Sequence, residues 1–177
     1  MGRGERQAPP PLDEGGLERL ALRYAERYAT TRAKLSRYLV RKARERGWAA
    51  QGEPPIASIV ERMAALNYVD DRAFATARGA ALTRRGLGSR RIAADLRAAG
   101  IDSDDSAEAC AAADDQAWSA ALRYAERRRI GPFATIEPDR AGREKALAAM
   151  LRAGHPLDLA RKVVRAAPGE DMDPFDT

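Results

Sequence analysis

Apolar residues recur at spacings of three and four along almost the whole chain, and the pattern stops and restarts at glycines and prolines. In LERLALRYAERYA, Leu17, Leu20, Ala21, Tyr24 and Tyr28 share one helical face. Thr30 or Thr31 then starts a second helix with Leu35, Tyr38, Leu39 and Ala43 inward, and GWAAQGEPP ends it. Pro54 and Pro55 open a third, whose core face is Ile56, Ile59, Val60, Met63 and Leu66. Runs of alternating Val, Ile, Thr and Tyr, the mark of strands, are missing. The pattern predicts an all-α fold.

The same sequence of signals then repeats. Asp70 or Asp71 caps a helix carrying Phe74, Ala77, Ala81 and Leu82, and Gly86 and Gly88 end it. Ser89 is the expected cap of SRRIAADLRAAG, with Ile92, Leu96 and Ala99 inward and Gly100 as its stop. SDDSAEACAAAD makes a short third helix. In the third round, Trp118, Ala121, Leu122 and Ala125 lie on one face of DQAWSAALRYAERRR. Pro138 and Asp139 open a helix with Leu147, Met150 and Leu151, and PLDLARKVVRAA closes the set with Leu157, Leu159, Ala160, Val163 and Val164.

The heptapeptide ALRYAER stands at 21–27 and again at 121–127. AFATARG at 73–79 aligns between them, matching Ala21, Leu22 and Ala25 to Ala73, Phe74 and Ala77, at intervals of 52 and 48 residues. The pairs Leu35/Leu39, Ile92/Leu96 and Leu147/Leu151 mark the second helix of each round. A period of this length predicts a tandem array of three three-helix repeats, elongated and curved, over residues 17–67, 68–113 and 114–167. Residues 1–16, rich in Gly, Pro and charge, and the acidic tail 168–177 are expected to be disordered.

Composition narrows the chemistry. One cysteine and one histidine leave no disulfide and no Cys/His metal cluster. Cys110, in an Ala-rich stretch, reads as a small buried thiol, and His155, before Pro156, as a loop or helix-end residue. No phosphate loop, dinucleotide fingerprint or nucleophile elbow occurs, and Asp70-Asp71 reads as a cap rather than an acid/base pair. The expectation is a protein without catalytic residues, metal or cofactor. No apolar run reaches the ~18–20 residues that span a bilayer, and MGRGERQAPPP lacks the apolar stretch of a signal peptide, so no membrane partner and a cytoplasmic location are expected.

The charge is segregated. Net charge is +5, yet residues 17–46 carry ten Arg/Lys against Glu18, Glu26 and Glu45, and residues 72–97 carry seven Arg against Asp95 alone. Residues 101–117 hold six acids and no base. In the second helix Lys34, Arg37, Arg41 and Arg44 fall within an arc of about 80°, set apart from Leu35 and Leu39. Arg90 and Arg97 lie almost opposite Ile92 and Leu96. An ordinary solvated face mixes Glu with Lys at i,i+4, whereas like charges on one stripe repel by a few tenths of a kcal/mol per pair. A stripe kept against that repulsion points to a polyanionic counter-surface, and the preference for Arg suits bidentate recognition of phosphate or carboxylate. GLGSRR at 86–91 reads either as a helix-breaking linker or as a set of backbone N–H groups facing an anion.

The stretch LNYVDDRAFATARGAALTRRGLGSRRIAADL at 66–96 resembles the RecX family of recombinase regulators. The family carries a Gly-Tyr-Leu-Asp-Asp-x-Arg-Phe-Ala segment followed by Gly-x-Gly-x-x-x-Ile-x-x-x-Leu; NYVDDRAFA (67–75) and GLGSRRIAADL (86–96) stand here, with Asn67 for the first Gly and Val69 for Leu. Upstream, ALRYAERYATTRAKLSRYLVRKA matches the family's layout of a Leu-rich helix before a basic one. The resemblance makes Tyr68, Asp70, Asp71, Phe74, Gly86, Gly88, Ile92 and Leu96 structural motif residues. It implies a monomer that binds the RecA filament on DNA and restrains its growth, ATP hydrolysis, strand exchange and co-protease action. The contacts would come from Lys34, Arg37, Arg41, Arg44, Arg72, Arg84, Arg85, Arg90, Arg91 and Arg97. The other reading is a stand-alone protein that binds single- or double-stranded DNA through SRRIAADLRAAG, although that helix lacks Asn or Gln to read bases.

Overall fold

The computed structural model describes residues 10–173. These form nine α-helices and one 3-10 turn. The helices are α1 (Glu14–Arg27), α2 (Arg32–Arg46), α3 (Ile56–Ala65), α4 (Asp71–Arg84), α5 (Ser89–Ala98), α6 (Ser103–Asp115), α7 (Ala117–Arg128), α8 (Arg140–Arg152) and α9 (Leu157–Arg165). The turn, Gly131–Phe133, lies between α7 and α8. No strand occurs among the described residues, as the spacing predicts. The chain divides into two compact units between Phe74 and Ala75, inside α4.

In the first unit α1, α2 and α3 pack on one another around Leu17, Ala21, Leu35, Leu39, Ile59, Val60 and Met63. Tyr24 stacks on Tyr38 with ring centroids 4.2 Å apart, whereas Tyr28, expected on the same inner face, is largely exposed. Part of the expected disordered lead-in is structured. Leu12 is buried in this core, its N–H donates to the Gly47 carbonyl at 2.9 Å, and its own carbonyl accepts from Ala49 at 2.9 Å. Asp13 caps α1, which starts at Glu14. The apolar Leu12 and the capping Asp13 outweigh the Gly- and Pro-rich composition around them; residues 1–9 lie outside the described residues.

In the second unit α7, α8 and α9 enclose Ala121, Tyr124, Ala125, Ile130, Met150, Ala160, Val163 and Val164. α5 packs on α6 through Ile92, Leu96, Ala109 and Ala113, all buried. The described part of the acidic tail, residues 168–173, is anchored rather than loose: Gly169 N–H donates to Pro132 at 2.8 Å and Met172 packs against the α7–α9 core. Residues 174–177 lie outside the described residues.

Five helices end alike. The residue after the helix takes a left-handed conformation, at Asn67 (φ 58°), Gly86 (71°), Gly100 (85°), Arg129 (53°) and Gly154 (94°). The N–H of the next residue then reaches back five residues: Tyr68 to Met63, Leu87 to Leu82, Ile101 to Leu96, Ile130 to Ala125 and His155 to Met150, at 2.9–3.2 Å. This is the Schellman stop, which satisfies carbonyls at the helix end and folds the following side chain back on the helix. Asn67 departs from the family's glycine, yet Asn tolerates this conformation better than other L residues.

The stops correct the internal register. Counting back from Gly100 and Gly154 pairs Ile92/Leu96 with Ala146/Met150, not with Leu147/Leu151. Met150 is fully buried and Leu151 is 38% exposed. Likewise Ala75 and Gly79 are the buried pair within AFATARG, while Ala73 and Ala77 face solvent, so AFATARG is two residues out of step with ALRYAER. Periodicity finds a helix face to within a residue or two, and packing against neighbours selects the row. Leu66 and Leu157, expected inward, are also exposed, and Cys110 is only half-buried.

Arg129 occupies a left-handed position that disfavours a side chain by roughly 1–2 kcal/mol. Replacing Arg129 by Gly is expected to stabilise the protein by about 1 kcal/mol, read as a rise of about 2–4 °C in Tm by calorimetry.

Candidate functional site

α2 is fixed at its start by two caps. The Thr31 hydroxyl accepts from Lys34 N–H at 3.1 Å, and the Asp71 carboxylate accepts from Arg32 N–H at 2.9 Å. The Asp-Asp pair divides its work, because Asp70 caps its own helix through Ala73 N–H at 2.9 Å while Asp71, buried, serves α2. Leu35, Leu39 and Ala43 are buried, which turns the opposite face of α2 to solvent. On that face stand Arg37, Arg41 and Arg44, all exposed, with Lys34 half-buried and its ammonium 4.4 Å from the centre of the Phe74 ring.

Neutralisation of this ridge is partial. Arg41 pairs with Glu45 at 3.5 Å and lies 5.6 Å from the Tyr38 ring. Glu45 belongs more to Lys42, whose hydrogen bond at 2.6 Å is the main reason its carboxyl sits below the usual range. Arg37 and Arg44 have no hydrogen bond or ion pair among the described residues. The face therefore offers two uncommitted guanidiniums one helical turn from a third that is only weakly paired.

In the second unit the single acid of the 72–97 block is consumed locally. Asp95 accepts from Arg78 Nε at 2.8 Å and Nη2 at 3.0 Å. Arg84, Arg85, Arg90, Arg91 and Arg97 are exposed and carry no such partner among the described residues. Arg84 and Arg85 close α4, where the helix dipole welcomes a cation. Arg90 and Arg91 open α5, which has no acid in its first turn, so two positive charges stand at a positive helix end. That placement disfavours the isolated helix and raises the local positive potential. Arg72 is exposed on the first turn of α4, in the first unit.

The Gly86-Leu87-Gly88 loop works by close packing. The N–H groups of Gly86, Leu87 and Gly88 donate to Thr83, Leu82 and Ala153, so they are spent and do not face an anion. Gly88, not Ser89, is the N-cap of α5. A Cβ on Gly88 would collide with the Gly154 carbonyl oxygen, and one on Gly86 would stand 2.8 Å from Tyr124 N. Backbones meet here at a separation that only glycine allows. The four arginines flanking the loop are thereby held against the α7–α8 framework.

His155 completes that contact. Its side chain is fully buried, Nε2 lies 3.1 Å from the Gly86 carbonyl oxygen, and the ring lies 5.6 Å from Tyr124. Nδ1 is buried with no hydrogen-bond partner among the described residues. Burial pushes the imidazole below its ordinary value of 6.5, against a smaller opposing effect of the Gly86 carbonyl. As a helix-end residue His155 follows Gly154, but it fills the core position that Ile101 fills after α5.

Two further surfaces stand apart from the α2 and loop arginines. Tyr68, expected to be structural, is 47% exposed after the α3 stop. α9 carries Arg161, Lys162 and Arg165 on the side away from Ala160, Val163 and Val164, a third basic face visible in the letters RKVVR. Among the described residues no cluster of His, Cys, Asp and Glu could hold a metal, and no helix is long and apolar enough to cross a membrane.

Residues 70–109 match a family model described as RecX, second three-helix domain. The chain is 32% identical over 163 residues to the regulatory protein RecX of Myxococcus xanthus, covering 86% of both chains. It belongs to the RecX family. A second RecX relative, from Chromobacterium violaceum, is 29% identical over 70% of this chain and 76% of its own. The crystal structure of RecX from Lactobacillus salivarius shares the fold, with a TM-score of 0.62 at 18% identity over 85% of this chain and 94% of that one. This RecX-family chain is thus a member of a group of regulatory proteins, and the motif the family model matches runs from the Asp70-Asp71 caps through the glycine contact to α6.

Two outcomes check the contact. Gly88→Ala is expected to destabilise the protein by at least ~2 kcal/mol in urea unfolding, since the opposing surface is backbone and cannot yield. For His155 the unfolded state binds a proton more readily than the folded one. Stability therefore holds above pH 6.5 and declines as the pH falls below it. The urea midpoint is expected to drop between pH 7.5 and 5.5, and His155→Ile should flatten that slope.

Proposed function

We propose that this protein binds the RecA filament on DNA, as a monomer in the cytoplasm, and restrains recombinase, ATPase and co-protease activity. The observation that carries the reading is the α2 face. Its cations stand opposite the buried Leu35, Leu39 and Ala43, and Arg37 and Arg44 have no acidic partner among the described residues. Membership of a family of regulatory proteins supports the regulatory part of the reading. The second unit carries exposed arginines of its own beside the Gly86-Leu87-Gly88 loop. We take residues 17–67, 68–113 and 114–167 as three three-helix repeats, each presenting outward what its buried row does not use.

The mechanism is electrostatic and steric. Guanidiniums replace counterions on phosphate or pair with protomer carboxylates, and the helices obstruct the movements that hydrolysis and growth require. The test is RecA ATPase on single-stranded DNA with substoichiometric protein. Inhibition well below one molecule per protomer supports filament regulation, whereas inhibition only at saturation of the DNA makes the protein a simple competitor. Arg37→Glu with Arg41→Glu is expected to weaken inhibition at least ~10-fold with unchanged helical circular dichroism. Full inhibition by that variant would remove α2 from the interface.

A further inference from the structure

The chain folds back beside the basic face of α9, contacting Lys162 and leaving Arg161 and Arg165 exposed. After α9 the chain turns at Pro168-Gly169, closed by Glu170 N–H to Ala167 at 3.1 Å and by the Glu170 carboxylate accepting from Ala167 N–H at 2.7 Å. It then runs back along the helix. Met172 packs against the α7–α9 core, and Lys162 Nζ donates to the Asp173 carbonyl at 3.1 Å. Between helix and returning segment lies an open cleft of about 730 Å³, with Arg161, Lys162 and Arg165 of α9 lining it together with Asp158 at the helix start, and with Glu170, Asp171 and Asp173 of the returning segment. Arg161 and Arg165 have no hydrogen bond or ion pair among the described residues.

We propose that this face of α9 is a binding surface for single-stranded nucleic acid, and that residues 170–173 occupy it as an acidic stand-in for the phosphate backbone. Three observations favour that occupant. On the helix Arg161, Lys162 and Arg165 share an arc of about 100°, so one extended strand can run past all three. The returning segment supplies three acids in four residues; Met172, the Gly169 N–H and the Asp173 carbonyl hold its backbone, the Glu170 carboxylate closes the turn, and the Asp171 carboxylate borders the cleft. Lys162 lies 5.1 Å from the Trp118 ring, which puts a large aromatic surface at the edge of the basic face. Cations beside an aromatic are the combination with which proteins hold single strands without reading sequence. The cover is displaceable, because solvent-exposed charge pairs contribute at most about 1 kcal/mol and weaken with salt.

This surface is distinct from α2 and is tested without recombinase, so its failure leaves the reading of α2 untouched. The full-length protein and its Asp171→Asn/Asp173→Asn variant are titrated against fluorescein-labelled oligo(dT) by anisotropy. The variant is expected to bind about 5–10-fold more tightly, with a log–log salt slope steeper by about 1–2. Adding Arg161→Gln and Arg165→Gln should return affinity to that of the unmodified protein. Unchanged affinity in the Asn variant overturns the proposal, as does a gain that survives loss of the two arginines. An oligoglutamate peptide that binds the Asn variant where oligo(dT) does not would assign the face to an acidic protein segment instead.

Discussion

The helices here run from nine to fifteen residues, lengths at which an isolated helix is marginal in water. Each must therefore end cleanly and lay its apolar row on a neighbour, and the left-handed stop achieves both. At Asn67, Gly86, Gly100, Arg129 and Gly154 the chain satisfies its terminal carbonyls, and after Gly100, Arg129 and Gly154 it turns the next side chain inward. Ile101, Ile130 and His155 become core residues by that rule alone. The direction of the segment that follows each of these five helices depends on its stop.

Two contacts convert the stops into positioned charge. Asp71 reaches from the start of α4 to the first N–H of α2, fixing the helix that carries Lys34, Arg37, Arg41 and Arg44. The glycine contact between Gly88 and Gly154 seats α5 against the end of α8, with Arg84, Arg85, Arg90 and Arg91 on either side. In both cases the motif residues lie beneath the cations rather than among them. They hold the backbone from which the arginines project.

Much of this was legible in the letters. A repeating spacing of three and four is a direct consequence of burying one side of a helix, so element type follows from it. The segregation of Arg from Asp and Glu was equally plain, and Arg78 could be set apart only once its partner Asp95 was located. What periodicity could not choose was the row. Ala146 and Met150 face inward and Leu151 does not, although all are compatible with one helix. Nor could it reveal that Leu12 enters a core or that the acidic segment folds back on α9, since both contacts join residues brought near only by the fold.

The sequence by itself determined that the chain is helical, where most of its helices stop, and which side of α2 and α5 is cationic, because these depend on local spacing and on the backbone preferences of Gly, Asn and Asp. Only the tertiary structure decided which cations stay unpaired, what Gly86 and Gly88 are for, and that His155 is buried with an unsatisfied nitrogen. Those outcomes depend on which distant backbone approaches within a hydrogen-bond length, and no spacing along one chain encodes that distance.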